Sequence, residues 1–547
     1  MPVTPSFPGL YIEELPLSAH SIVAAPTSIT VIVGYTHPYK TNKYREAVRL
    51  FSFTEYEREF GGNFASGMIE PHVPQAVAQF FANGGSDLYV VGLEATLSDG
   101  ATPTPTIKTY KDVVALSTPL TFTGTDSKTM IFRPLEPTDL TQMQLTLSNL
   151  RQSTKGLGNP YDTFDVAISY GKRVETFRNV TIKSGASGTQ LYALNGASAL
   201  ITVEDSAGKK DNTADFGLGF GAPPPPTFSG PLAQPVGYGT NFNPQDFIDM
   251  FQADTSLDKV PIFNILLTPG IYESSVNPAA LAFAERKRAF VILDGPGDRA
   301  ADKSLESATP PVPSIENDID TFPLSENGAL YFPYLQVNDP FFGQTVDVAP
   351  SGFVAGIYAR TDTRRGVWKA PAGIEATLNG TIGVVARGNM TNEQQGVLYG
   401  TITQKTPINC LRSFPGSGTV VFGARTLVGS NQAYNQSKYV PVRRMTLFIE
   451  QTLLANLRWV VFEPNDEPLW ISIRTSIENF MLSLFNQGAL QGSKPSDAFQ
   501  VKCDHTTTTQ QDIDNGVVNI IVAFAPLKPA EFVVIKIAQL AGQSQTS

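Results

Sequence analysis

The chain closes on two apolar, β-branched runs separated by a proline turn, and this ending constrains the fold more than any other feature. Val517 to Phe524 reads VVNIIVAF, Pro526-Leu-Lys-Pro529 follows, and Phe532 to Leu540 reads FVVIKIAQL. The pattern predicts strand, turn and strand. Chain ends ordinarily fray, and little sequence remains here to cover these apolar side chains. They therefore predict sheet pairing with another chain, and assembly in place of catalysis.

The 547 residues allow several domains and more than one core. Charged residues are 16% and hydrophobic ones 41%, which fits a folded chain with little extended disorder. With 45 Gly and 41 Pro, turns and strands should be frequent. A net charge of −10 argues against nonspecific nucleic-acid binding. The charge is unevenly placed: residues 1–350 carry 23 Lys/Arg against 37 Asp/Glu, residues 351–547 carry 17 against 13. The basic C-terminal part is either an accident of composition or a surface suited to an acidic protein partner. Cys410 and Cys503 stand far apart and in no CxxC pattern, so no disulfide framework is expected and a reducing compartment fits. The opening MPVTPSFPGLYIEE lacks the basic and apolar regions of a signal peptide. No apolar run reaches the roughly 20 residues needed to span a membrane.

Residues 1–25 read as an extended arm, because Pro2, Pro5, Pro8 and Pro16 preclude a helix. Within it Leu10, Tyr11 and Ile12 begin a short strand candidate that runs through Glu13 and Glu14 to Leu15. Thr27–Tyr35 is a strand buried on both faces, Phe53–Phe60 a helix stopped by Gly61-Gly62, and Pro71–Asn83 an amphipathic helix carrying Val73, Val77, Phe80 and Phe81 on one face. With a strand at Asp87–Leu93, residues 26–95 form the first part of an α/β core. Residues 96–240, rich in Thr, Ser, Gly and Pro, read as an inserted β-rich peripheral domain. Its short strands fall at 120–122, 143–147, 165–170, 180–182 and 200–203, and a stiff linker covers Pro223–Pro226 and Phe228–Pro235. The α/β pattern resumes over 241–405, with helices at Asn243–Gln252, Asn277–Arg288 and Val354–Arg360. Its strands are Ile262–Leu267, Phe290–Leu293 and Leu330–Val337, the last placed at an edge or bulge by Pro333. Residues 406–525 form a C-terminal domain with a strand from Val420 and helices at Val440–Leu457 and Leu469–Phe485. The first of these helices is read with Leu447, Ile449, Leu453 and Leu454 on its apolar face. Residues 526–547 are a closing strand arm. The fold class is thus multidomain α/β and α+β, with an inserted β-rich domain and two extended arms.

The chain offers little chemistry. His20, His37, His72 and His505 keep no metal-binding spacing with one another or with Cys, and HExxH, GxSxG and GxxxxGK[ST] are all missing. Gly217-Leu-Gly219-Phe-Gly221 lacks the strand–helix frame of a dinucleotide loop. Cys503 and His505 flank Asp504, and adjacent strand residues point to opposite faces, so no thiol–imidazole pair is expected there. Asp294-Gly-Pro-Gly297-Asp298 follows a buried strand; it reads as a capped tight turn, with a carboxylate base or ligand as the rival. No catalytic residue, cofactor or metal is expected.

Several stretches together resemble the tail sheath proteins of contractile phage tails, R-type bacteriocins and phage-derived injection systems. They begin with Pro8-Gly-Leu-Tyr-Ile-Glu-Glu14, Ile32-Val-Gly-Tyr-Thr36, Glu59-Phe-Gly-Gly62 and Val77-Ala-Gln-Phe-Phe-Ala-Asn-Gly-Gly85. They continue with Asp362-Thr-Arg-Arg-Gly-Val-Trp-Lys-Ala-Pro-Ala-Gly373, Gly423-Ala-Arg-Thr-Leu427, Tyr439-Val-Pro-Val-Arg-Arg444 and Pro529-Ala-Glu-Phe532. Residues 96–240 show no such resemblance.

The resemblance implies a structural subunit of hexameric rings stacked helically around an inner tube, with baseplate and tail-terminator proteins as further partners. It implies a subtilisin-like but non-catalytic fold for 241–405 and a tube-facing domain at 406–525. It also implies assembly in the bacterial cytoplasm into a phage tail or tail-like particle, with no nucleic-acid partner and no membrane insertion. Terminal arms exchanged between subunits would use Leu10, Tyr11, Ile12, Val533, Ile535 and Ile537. Arg443, Arg444, Arg458, Arg474 and Lys494 are the basic candidates for contact with an acidic tube. With no phosphate-binding loop, contraction would draw on energy stored at assembly. The rival readings are an α/β hydrolase or carbohydrate-active enzyme with a β-rich accessory domain, resting on Asp294 and Asp298, and a static adhesin or capsid-like shell.

Overall fold

The computed structural model describes residues 20–64, 72–98, 107–109, 111–112, 120–123, 129–135, 143–151, 163–181, 189–205, 208, 227–231, 243–272, 275–295, 323–339, 343, 345–385, 390–399, 406–429 and 436–536. Its centre is an eight-stranded sheet. The strands are β1 (Thr30–Tyr35), β2 (Ala47–Leu50), β3 (Leu88–Leu93), β4 (Ile265–Leu267), β5 (Phe290–Asp294), β6 (Gly328–Phe332), β7 (Ile408–Phe414) and β8 (Gly418–Val421). Their spatial order is 2-3-1-4-5-6-7-8. The six strands from β3 to β7 run parallel, and antiparallel strands β2 and β8 close the two ends.

Alternate side chains of each strand enter different cores. Val31, Val33, Val91, Leu293 and Leu330 share one core with helix α3 (Val276–Lys287) and with the inserted strands. Ile32, Val90, Ile292 and Tyr331 share the other with helices α2 (His72–Ala82) and α4 (Ser351–Arg365). Near-continuous apolar runs are what a parallel sheet covered on both faces requires. Two glycines let α2 and α4 meet backbone to backbone: a Cβ at Gly352 would lie 2.5 Å from the Cα of Ala76, and one at Gly356 would lie 2.6 Å from the Cβ of Asn83. Helix α1 (Phe53–Phe60) stops as its sequence predicts, at Gly61 in the left-handed conformation.

The region 96–240 is β-rich. A five-stranded sheet orders residues 189–190, 173–181, 163–170, 143–151 and 227–231, and a three-stranded sheet orders 201–205, 129–134 and 120–123. Residues 227–231 correct part of the expected linker: they form an edge strand, with Pro231 opposite Gln144 at the strand end, where its missing N–H costs little. Pro223–Pro226 and Gly217–Gly221 lie outside the described residues.

Three further expectations change. Leu330–Val337 is not one strand; β6 ends at Phe332 and a separate strand, Leu335–Asn338, pairs antiparallel with Thr345–Val348, Pro333 falling between them. β6 is also an interior strand, not an edge. The 405/406 boundary moves, because β7 and β8 complete the central sheet. The Asn243–Gln252 helix is a short α-turn at Gln245–Ile248 continued as 3-10 helix, with Asn243 Oδ1 accepting from the Gln245 N–H.

The C-terminal part has its own core around helices α5 (Val440–Asn456) and α6 (Glu467–Asn486) and a two-stranded sheet of β9 (Phe499–Lys502) and β10 (Ile521–Phe524). Leu447 and Ile449 are buried as expected, but Leu454 is exposed. The closing hairpin is corrected: β10 pairs with β9, and Phe532–Lys536 form no strand within the chain. No helix among the described residues is long and apolar enough to cross a membrane.

Candidate assembly interface

Both ends of the described chain are tied to the body before their terminal segments begin. At the N-terminal end, residues 20–29 lie as a strap along α5, gripped mainly through their backbone. Asn456 donates to the Val23 carbonyl at 2.8 Å and accepts from the Val23 N–H at 3.0 Å. Thr452 Oγ1 accepts from the Ala25 N–H at 3.1 Å, and Arg444 donates to the Thr27 carbonyl at 2.9 Å. Asn264 donates to the Pro26 carbonyl and accepts from the Ile29 N–H. The strap begins with His20 packed on Trp459 at 4.0 Å between ring centroids. Leu10, Tyr11 and Ile12 lie outside the described residues.

At the other end, Glu531 is held in a clamp. Its carboxylate accepts two hydrogen bonds from the Arg425 guanidinium, both 2.8 Å, and one from each of the Tyr399 and Tyr439 hydroxyls, at 2.9 and 3.0 Å. Lys438 Nζ stands 3.7 Å away. Burial acts to raise the Glu531 pKa, but Arg425 and the tyrosine hydroxyls outweigh it and hold the carboxyl below the usual range. Burial, reinforced by Glu531, pushes the Tyr439 hydroxyl up to about 12. The bidentate geometry favours Arg over Lys at this position.

Directly after the clamp the chain turns outward. Val533 and Ile535 are 81% and 78% exposed, and Phe532 and Val534 are exposed too. An unbroken apolar run exposed on all sides is unusual on a subunit that stays alone. Ile537 lies outside the described residues.

Glu531→Gln should loosen the root of this arm. Without the carboxylate, cleavage of the Leu527–Lys528 bond by a protease that cuts on the N-terminal side of lysine is expected to rise several-fold, while the subunit Tm moves by only about 2–4 °C. An unchanged cleavage rate would mean the clamp does not hold the root.

The basic candidates separate. Arg444 is a correction: it is buried and makes two hydrogen bonds to Asp362, at 2.7 and 2.8 Å, beneath the Tyr358 ring, so it faces no partner. Arg443 is largely covered and bonded to Asn327 and Glu326. Arg458 and Lys494 are exposed and Arg474 is half-buried.

Asp294, the described member of the enzyme-like pair, is a structural device. Asp294, at the end of β5, is fully buried and accepts from the Gly270 N–H, the Ser351 N–H and the Ser351 hydroxyl at 2.9, 2.8 and 2.6 Å. It thereby caps the first turn of α4 from the neighbouring strand. Burial pushes its carboxyl up to about 6 against the pull of these donors. The Ser351 hydroxyl is itself buried and donates to the carboxylate, so it is not presented to a substrate. Asp298 lies outside the described residues. Among the described residues no cluster of His, Cys, Asp and Glu could hold a metal ion.

Sequence reading missed the clamp, although it had singled out the segments that build it. Glu531, Arg425 and Tyr439 belong to three of the quoted motifs, and a fourth supplies Asp362 to Arg444. The signal was charge and phenol at otherwise apolar segment ends.

The architecture is that of contractile sheath proteins. In fold the chain is similar over 98% of its length to the contracted sheath complex of the extracellular contractile injection system PVC, with a TM-score of 0.56, 21% identity and 98% of that chain covered. It is likewise similar over 98% of its length to the contracted helical sheath of the anti-feeding prophage, with a TM-score of 0.54, 23% identity and 100% of that chain covered. Residues 432–539 match the family model of the phage tail sheath C-terminal domain. Over 270 residues it is 24% identical to a protein described as a prophage major tail sheath protein of Pseudomonas aeruginosa (strain UCBPP-PA14). That match covers 49% of this chain and 62% of the relative, so it spans less than two thirds of the relative's length.

Proposed function

We propose that this protein is the structural subunit of a contractile sheath, polymerising as stacked hexameric rings around an inner tube and shortening to drive that tube through a target envelope. The observation that carries the reading is the exposed apolar run Phe532–Ile535 leaving a charged clamp, in a chain with the sheath fold. Strand addition would take this arm, and the segment around Leu10–Ile12, onto sheets of neighbouring subunits, backbone bonds giving strength and alternate side chains giving register. Among the described residues no third strand joins the β9–β10 pair, and its edges are the candidate acceptors. Arg458, Arg474 and Lys494 are the remaining candidates for an acidic tube surface. Baseplate and tail-terminator partners, and assembly in the bacterial cytoplasm, belong to the same reading. No enzymatic step is included, and the energy of contraction is set at assembly, without nucleotide.

Electron microscopy of the protein co-expressed with its tube is the direct test. Long cylinders that convert to short, wide ones without added ATP are the expected result. Reversing Arg458, Arg474 and Lys494 together should leave cylinders that have lost their tube. Discrete particles that never form cylinders would overturn the reading.

A further inference from the structure

The last turn of α4 and the loop behind it enclose a cleft of about 360 Å3 whose polar lining includes Arg360, Arg364, Arg365, Lys369 and Glu375. Four cations therefore face one carboxylate. Arg360 is satisfied by the Thr377 carbonyl at 2.6 Å, and Arg365 pairs with Glu375 at 3.0 Å. Lys369 reaches only the Ala370 carbonyl, at 3.3 Å, and Arg364 has no hydrogen bond or ion pair among the described residues. Among the described residues, two positive charges thus share a concave site with no anion assigned to them. The like charge is felt within the site: burial and then Arg364 lower the Arg360 pKa.

The chain itself contains a matching group. Before Lys40 its only charged side chains are Glu13 and Glu14, an adjacent carboxylate pair in an arm with no cation. From Thr27 to Val23 the strap runs away from the cleft region of its own subunit. Thr27 is held by Arg444, which pairs with Asp362 of α4, whereas Val23 is held by Asn456 at the opposite end of α5, about 18 Å along the helix. This direction favours a cleft in another copy.

We infer that the Arg364–Lys369 cleft receives the Glu13–Glu14 pair of a second copy of this chain. The inference rests on the proposal that the subunits polymerise through their arms, and adds a charge-specific seat for one of them. Charge-assisted hydrogen bonds in a partly enclosed cleft would fix the position of a strand whose apolar residues alone permit slippage.

Charge exchange tests it. Light scattering gives the threshold concentration for cylinder formation, and Tm verifies that each variant folds. Arg364→Glu with Lys369→Glu, and separately Glu13→Lys with Glu14→Lys, should each raise the threshold roughly tenfold. The fourfold variant, with both reversals, should return it to within about threefold of the original. Two folded double variants with unchanged thresholds, or a fourfold variant without rescue, would overturn the inference while leaving the sheath proposal intact. An unaltered protein that forms no cylinders would take both down.

Discussion

A chain lacking residues 532–547 should fold, remain soluble and fail to polymerise. Residues 532–536 make no strand within the subunit, and the side chains from Phe532 to Ile535 are exposed, so losing them costs the monomer little. Between subunits the balance differs. Burying Val533, Ile535 and Ile537 on one face of an added strand contributes about 1.5–3 kcal/mol each. A few ladder bonds add roughly 0.5–1.5 kcal/mol apiece, offset in part by the cost of ordering the arm. A net gain of even about 4 kcal/mol per subunit shifts the association constant roughly a thousandfold. Sedimentation and electron microscopy of the truncated protein measure this. Normal cylinders from truncated chains would show that the arm links nothing.

The second large effect is inside the subunit. Arg444→Met should cost about 3–5 kcal/mol, because it leaves the Asp362 carboxylate buried without its cation. Set against a total stability of about 5–15 kcal/mol, that loss would leave much of the protein unfolded at moderate temperature. It would also free the Thr27 carbonyl and loosen the strap. The pair itself need not be strongly stabilising, since replacing both partners by apolar groups is often neutral. Arg444→Met with Asp362→Leu should therefore recover most of the lost Tm. A single variant that melts with the original protein would show that the pair is dispensable.

Where a local pattern settles an element, the sequence was legible. Thr30–Tyr35 is apolar on both faces and lies second inward from the β2 side of a covered sheet; Phe53–Phe60 ends where Gly61 makes a left-handed turn cheap. What failed was pairing over distance. The runs at 517–524 and 532–540 look like partners because a proline turn separates them, yet the first finds Phe499–Lys502, which carries Gln500 and Lys502 and gives a weak strand signal. Arg444 shows the same limit for sites. Beside Arg443 it reads as surface charge, and only the fold brings Asp362, 82 positions earlier, to neutralise it.

The Glu531 clamp also decides where mechanical load enters the subunit. Tension on the closing arm would otherwise fall on β10 and its single antiparallel neighbour, which could peel apart one hydrogen bond at a time. With Glu531 seated on Arg425, a pull reaches the segment just beyond β8 and passes into a sheet of eight strands, six of them parallel. In the proposed assembly the small C-terminal sheet would then be spared while the arm carries the strain of neighbouring subunits past it, as a harness strap anchored to the frame spares the seat.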